Sequence, residues 1–235
     1  MPDIRKISIS IPTWNRYEMT IECFAQILHD ERVEEVVISD DASTDGSYEK
    51  LCEYFKDEPK VKIFQNETNQ DCYRNKKTAI ELSTNDWCIL ADSDNIFGVD
   101  YLDKIFEYEW NEDIIFTPDF AMPHFDFRNY SNVLLTKENI SQYIDLPMVE
   151  TCLNANNFFI NKKSYLQIWD GSINPMTSDS IYFCYNWLKS GRGILITQNM
   201  QYQHRVHPQS HYQTKNYLTE AGLHENILQQ LRNLK

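Results

Sequence analysis

From residue 4 to residue 91, apolar runs of strand length alternate with segments of helical period, and this rhythm constrains the fold more than any other feature of the chain. Ile7, Ile9 and Ile11 alternate with Ser8 and Ser10, a period of two that places a strand over residues 4–11. Tyr17, Ile21, Phe24 and Leu28 then recur at helical spacing. Val33–Ser39 reads as a buried strand, a short helix runs to about Phe55, and a strand over Val61–Phe64 precedes a helix around Thr78–Leu82. Trp87–Ala91 is another apolar strand. Such alternation predicts βαβ units with right-handed crossovers, hence an α/β fold with a doubly wound, mainly parallel sheet and helices on both faces. Ligands of these sheets bind beyond the carboxyl ends of the strands. Two acidic clusters fall at those ends, Asp40-Asp41 and Asp92-Ser93-Asp94.

The rhythm changes after a strand at Asp113–Phe116. Residues 119–150 are aromatic-rich and irregular (Phe120, His124, Phe125, Phe127, Tyr130), with no Gly/Ser linker to mark a separate domain. Phe158–Ile160 and Gly193–Thr197 read as strands, and Ser180–Leu188 as a helix. The tail from about Tyr217 to Leu234 is an amphipathic helix with Leu218, Leu223, Ile227 and Leu231 at near-helical spacing. It has two possible partners, its own domain or a second copy of the chain. The expected organisation is one domain over residues 1–214, with halves of about 1–118 and 119–214, followed by the helix at 215–235.

Composition narrows the chemistry. The 235 residues include only six glycines, where average usage of roughly 7% would supply about 16. The only close pair is Gly191-Arg192-Gly193, so neither a dinucleotide fingerprint nor a P-loop is present. With 22 Lys+Arg against 35 Asp+Glu the net charge is −13, which repels a phosphate backbone and argues against nucleic acid as a partner. A small anion would need a local cation such as a metal. Acidic residues away from the strand ends, such as Glu31, Glu34 and Glu35, read as solvated surface. The six cysteines have no zinc-type spacing, and several lie in apolar segments, as reduced core cysteines do. A strand beginning at residue 4 leaves no room for a signal peptide, and no apolar run approaches membrane-spanning length. The expectation is a soluble, cytoplasmic protein.

Asp92 and Asp94, at i and i+2 after a buried strand, can both reach one hard divalent cation, and oxygen ligands suit Mg²⁺ or Mn²⁺ together with diphosphate oxygens. Taken alone, the pair also suits a polar loop. An Asp at the end of the second strand can accept from the N–H of a uracil or from a ribose hydroxyl, although Asp40-Asp41 with Ser43, Asp45 and Gly46 equally makes a turn and helix cap.

Three segments in order, Ile9-Ser10-Ile11-Pro12-Thr13-Trp14-Asn15-Arg16, Val36–Gly46 and Ile89-Leu90-Ala91-Asp92-Ser93-Asp94-Asn95, resemble the nucleotide-binding half of family 2 glycosyltransferases with the GT-A fold. The resemblance is strong over residues 4–118 and continues more weakly to about 212. It implies a metal-dependent, inverting transfer of one sugar from a nucleotide sugar, a UDP-sugar first, to a hydroxyl acceptor such as a glycan. Pro12 and Thr13 would touch the nucleobase and Asp41 would hold it, with Asp40, Asn15 and Ser93 in the same nucleotide-binding set. Asp94 would bind Mn²⁺ or Mg²⁺ and Asp92 ribose or metal. The family's basic residue followed by Asn corresponds to Arg74-Asn75-Lys76-Lys77, any cation of which is a candidate for phosphate, with Lys77 assigned. Asp179, in Ser178-Asp179 where the family often has Glu-Asp, resembles the catalytic base. Within His204–His211 the family's Arg-x-His-x-x-Ser segment makes His207 the implied third metal ligand, ahead of His204 and His211, and sets Arg205 toward the diphosphate.

The aromatic stretch 119–130 with Trp169 is a candidate acceptor groove. Processive relatives carry Q-x-x-R-W, absent here at Tyr185-Asn186-Trp187, so the resemblance implies a single addition. Nucleotidyl transfer is the second enzyme class, but its glycine-rich first loop is missing: no glycine occurs in the first 45 residues. A phosphohydrolase would place its Asp-x-Asp on the first strand, and a non-catalytic nucleotide-sugar-binding protein would have no need to retain Asp41, Asp94 and Asp179 together. A homo-oligomer is compatible with all of these.

Overall fold

The computed structural model describes residues 5–155, 157–207 and 217–235; the expectations for Ile4, the 214/215 boundary, Ser210 and His211 lie outside the described residues, as does the Leu218 side chain. The first half follows the expected alternation: β1 (Ile7–Thr13), α1 (Tyr17–Phe24), β2 (Val33–Asp40), α2 (Ser47–Tyr54), β3 (Val61–Gln65), α3 (Asp71–Leu82), β4 (Trp87–Leu90) and α4 (Val99–Glu107). The second half adds β5 (Ile114–Met122), β6 (Phe125–Asp126), β7 (Leu134–Leu135), α5 (Ile140–Tyr143), α6 (Val149–Asn154), β8 (Phe159–Asn161), α7 (Lys162–Ile168), α8 (Asp179–Lys189), β9 (Gly193–Gln203) and α9 (Tyr217–Arg232).

All strands join one sheet in the order β3-β2-β1-β4-β8-β5-β9-β7, with β6 paired to β5. β1 to β4 pair in parallel. β8 runs antiparallel between β4 and β5, which returns β5 and its parallel neighbour β9 to the first direction. The sheet is therefore mixed but mainly parallel, and it is flanked by helices.

The Ile/Ser alternation of β1 suggests one solvated face, yet all seven of its residues are buried. The serines are satisfied within the protein. Ser10 Oγ pairs with Ser83 Oγ at 2.8 Å, just beyond α3, and Ser8 Oγ donates to Glu35 Oε1 at 2.6 Å. Glu35 corrects the surface expectation: it is 1% exposed, whereas Glu31 and Glu34 are exposed. Its carboxylate also accepts from the Thr84 backbone N–H and hydroxyl and pairs with Lys62 at 2.5 Å. Burial works to raise the Glu35 carboxyl, but Lys62, Ser8 and Thr84 outweigh it and hold it at about 2. A depressed carboxyl contributes stability that is complete above its ordinary 4.5 and is lost as pH falls toward 2. Replacing Glu35 by Gln should therefore cost about 2 kcal/mol at neutral pH, allowing for the solvent-facing Lys62. In urea titrations the gap from wild type should close between pH 4.5 and 2; a gap independent of pH would refute the assignment.

β5 extends six residues past the expected strand end at Phe116, into the segment that reads as irregular. Its polar residues obscure the pattern: Thr117 and Asp119 are buried, and Asp119 accepts from Ser131 Oγ at 2.6 Å and Asn199 N at 2.9 Å. The tail helix packs on its own chain. Ile227, Leu228 and Leu231 are buried, and α9 lies against α5 and α8. All six cysteines are free, four of them buried.

Candidate active site

A cavity of about 1030 Å³ opens at the carboxyl ends of β1, β2 and β4. Pro12, Thr13, Asn15 and Arg16 line it from the loop after β1, Asp41 from the loop after β2, Asp92 and Asp94 from the loop after β4. Asn75 and Lys76 reach it from α3, Asp179 from the first position of α8, and Arg205 from the segment after β9. Residues up to 193 positions apart in sequence thus share one space at the end of the sheet where open α/β folds bind ligands.

Asp40 and Asp41 divide into two roles. Asp40 is fully buried and off the cavity wall: its carboxylate accepts from Ser43 N at 2.9 Å, Ser43 Oγ at 2.5 Å and Gln65 Nε2 at 3.2 Å, organising the turn. Ser43 Oγ in turn accepts from Asn15 N at 2.8 Å, and Asn15 Oδ1 from Thr44 N at 2.8 Å, tying the first loop to the second. Asp41 stays on the wall, its Oδ1 accepting from Gln70 N and Asn66 Nδ2, both at 2.8 Å. Burial raises the Asp41 carboxyl above its ordinary value against those two bonds. Asn75 bonds Ser39 through both amide atoms, 2.7 Å to Oγ and 2.9 Å to the carbonyl, and so seats α3 on β2.

The basic segment needs a correction. Lys77, the assigned phosphate cation, does not line the cavity; it pairs with Glu81 one helical turn along α3, with Trp169 beneath its ammonium. Lys76 is the inward residue. It is 6% exposed, its Nζ 2.6 Å from Asp179 Oδ2 and 3.4 Å from Asp92 Oδ1. Burial disfavours its charge, but Asp179 and Asp92 outweigh that and raise its pKa. Burial also raises Asp92, with Lys76 opposing and Asp94 adding to the rise. Replacing Lys76 by Met removes the cation between two desolvated carboxylates, and breaking a buried pair this way costs about 3–5 kcal/mol. Urea unfolding at neutral pH reads this directly, and wild-type stability would show that the pair is not desolvated.

Asp94 Oδ2 meets Arg16 Nη1 at 3.2 Å and His207 Nε2 at 3.0 Å. Burial works to raise this carboxyl, but His207 and Arg16 hold it below its ordinary value. Of the segment's two described histidines, His207, 8% exposed, is the one that reaches Asp94; His204 instead places Nδ1 2.9 Å from His124 Nδ1. Asp92 does not join that pair. It faces Lys76, and Asn157 holds it through its backbone N–H at 2.8 Å and Oδ2 at 3.3 Å. Among the described residues no three His, Cys, Asp or Glu side chains are grouped to hold a metal, so the expected Asp92–Asp94–His207 triad is reduced to Asp94 and His207. Ser93 is fully buried, its Oγ 3.5 Å from Arg16 Nη1. Arg205 lines the cavity but directs Nε to the Asp94 carbonyl, Nη1 to Glu22 and Nη2 to the Met19 carbonyl, so its donors secure the loop.

Of the aromatic stretch only Phe125 lines the cavity, while Trp169 stacks on Tyr73 with ring centroids 5.4 Å apart. Polar residues line the cavity as well, Glu150, Thr151 and Asn154 of α6 and His224 of α9 among them. Arg16 stands inside the first motif as its only cation, a signal that could have singled it out. Asn157, at φ 64, follows the Asn pattern for a left-handed residue just ahead of a strand. Lys76 lies in the basic segment already singled out, whereas Glu150 and His224 leave no such local mark.

Residues 8–165 match the model of Glycosyl transferase family 2. Among curated protein sequences, none matches the chain. Solved structures of similar fold include the mannosyltransferase PcManGT from Pyrobaculum calidifontis in complex with GDP-Man and Mn²⁺, at 15% identity and a TM-score of 0.64, covering 90% of this chain and 60% of that one. S. aureus TarS 1-349 in complex with UDP-GlcNAc matches at 16% identity and a TM-score of 0.66, covering 90% and 61%. The chain thus spans about three fifths of the length of PcManGT and of the TarS 1-349 segment, and 38% of the longer TarS chain. At such identities the likeness is one of fold, the α/β GT-A architecture. The family match covers well over half of the residues, and on that ground the chain belongs to glycosyl transferase family 2.

Proposed function

We propose that the enzyme moves one sugar, with inversion, from a nucleotide sugar to a hydroxyl of a glycan acceptor, with a divalent cation as cofactor and a UDP-sugar as the first donor to test. The observation that carries this reading is the convergence of Asp41, Asp94 and Asp179 on one cavity at the carboxyl ends of parallel strands. Residues up to about 118 would hold the nucleotide, and residues from about 119 to 214 the acceptor. Asp41, fixed by Asn66 and Gln70, suits the N–H of a uracil, and Pro12 and Thr13 lie beside it on the same wall. That solved enzymes of this fold are described with GDP-Man and Mn²⁺ or with UDP-GlcNAc favours a nucleotide-sugar donor and a metal.

The residues fit Mn²⁺ or Mg²⁺. Asp94 is kept ionised and shares an oxygen with the His207 imidazole, and such ions take one or two protein ligands with phosphate oxygens and water completing the shell. When bound, the cation supplies charge stabilisation for the departing diphosphate. Asp179 takes the proton of the acceptor hydroxyl as its oxygen attacks the anomeric carbon. The bond from that carbon to the diphosphate breaks, and its electron pair leaves on the phosphate oxygen. Incubation with a panel of UDP- and GDP-sugars and Mn²⁺ should release nucleoside diphosphate from at least one donor. Full release in excess chelator would remove the metal from the reading, and no release from any donor would leave the donor class wrong.

A further inference from the structure

Helix α9 lies beyond the residues that carry the family match, yet it binds the segment that delivers Asp179 to the cavity. Glu220 and His224 are one turn apart on one helix face, and together they reach three consecutive residues, Met176, Thr177 and Ser178. Glu220 Oε1 accepts from Met176 N at 2.7 Å, and its Oε2 from Thr177 N at 2.7 Å and Thr177 Oγ1 at 2.8 Å. His224 Nδ1 lies 2.9 Å from Ser178 Oγ, while its Nε2 lies 2.7 Å from Glu150 Oε1. Ser178 stands at the N-cap of α8 but makes no side-chain cap bond there; its hydroxyl is engaged by α9 instead. Asp179 is the next residue. Backbone N–H groups ahead of α8 have no ladder to join and need partners from elsewhere, and α9 provides them. The helix is itself anchored, with Ile227, Leu228 and Leu231 buried.

We propose that α9 is a positioning element for catalysis: Glu220, acting through the Met176–Thr177 backbone, and His224, acting through Ser178, set the start of α8 so that Asp179 faces the attacking hydroxyl. The inference rests on Asp179 being the base. Misplacing a reacting group by about 1 Å costs on the order of a hundredfold in rate. Glu220→Gln keeps the size but presents N–H donors to backbone N–H groups. Its kcat for nucleoside diphosphate release from UDP-glucose, UDP-N-acetylglucosamine or GDP-mannose, whichever serves as donor, should fall roughly ten- to a hundredfold. Donor KM and calorimetric affinity for UDP with Mn²⁺ should not move, because Asp41 and Asp94 are held by other elements. Glu220→Asp, which keeps the carboxylate, should recover part of kcat. Glu225→Gln, on the same helix but paired with Arg232 at the surface, should change nothing.

A Glu220→Gln enzyme with wild-type kcat overturns the inference. So does one that loses kcat and UDP affinity together or unfolds at a lower temperature, because the role is then merely structural. Asp179→Asn run in parallel separates the two failures. Full activity in that variant removes the base assignment, whereas an inactive Asp179→Asn beside a fully active Glu220→Gln removes only the role of α9.

Discussion

Asp179→Asn is expected to lose sugar transfer while keeping its affinity for UDP. The substitution preserves shape and removes only the proton acceptor, and a positioned general base is worth on the order of 10²–10⁴ in rate. The local structure should tolerate it. Lys76 loses its partner at 2.6 Å but keeps Asp92 at 3.4 Å, so its ammonium retains one carboxylate. Asp179 also begins α8, where a carboxylate gains from the helix dipole, and that loss is worth well under the stability of a domain. The decisive pair of measurements is single-turnover donor cleavage and calorimetry with UDP and Mn²⁺. A variant that no longer binds UDP would place Asp179 in nucleotide binding and leave the reaction without this base.

The second large effect belongs to Asp94. Its carboxylate is the meeting point of Arg16 and His207 on the cavity wall, and in the proposed reaction it is the leading oxygen donor for the divalent cation. Asp94→Ala removes that donor, and metal stabilisation of a leaving diphosphate amounts to several kcal/mol, or about a thousandfold in rate. Asp94→Asn is the companion variant, because it keeps a hydrogen-bonding group beside Arg16 and His207 and isolates the charge. Both variants should remain folded, Asp94→Asn closer to the wild-type unfolding midpoint than Asp94→Ala, yet lose Mn²⁺-dependent UDP binding and donor cleavage. If wild type works at full rate in excess EDTA, or Asp94→Ala does so in Mn²⁺, the cation reading fails.

The parallel block of the fold was legible because its signals are local. Ile7, Ile9 and Ile11 carry a period of two, Tyr17, Ile21 and Phe24 a helical one, and acidic residues interrupt the pattern where β2 and β4 end. β5 was only half legible, since Thr117 and Asp119 are buried polar residues whose partners, Ser131 and Asn199 among them, lie elsewhere in the chain. Glu35 misled for the same reason. A glutamate among charged neighbours looks solvated until Ser8, Lys62 and Thr84 are brought around it.

The sequence by itself determined the α/β class, the family motifs and the candidate carboxylates Asp41, Asp94 and Asp179, because strand period, turn composition and motif spacing are properties of neighbours. Only the tertiary structure decided which of two adjacent lysines enters the cavity. Successive helical residues point about 100° apart, so Lys76 turns toward Asp179, 103 positions away, and Lys77 toward Glu81 on the outer face. It likewise decided that Asp92 faces Lys76 while Asp94 meets His207, and that α9 packs on its own domain with Glu220 beside the loop before Asp179. Each of these rests on contacts between distant segments, and burial and charge pairing across such distances exist only once the chain has closed on itself.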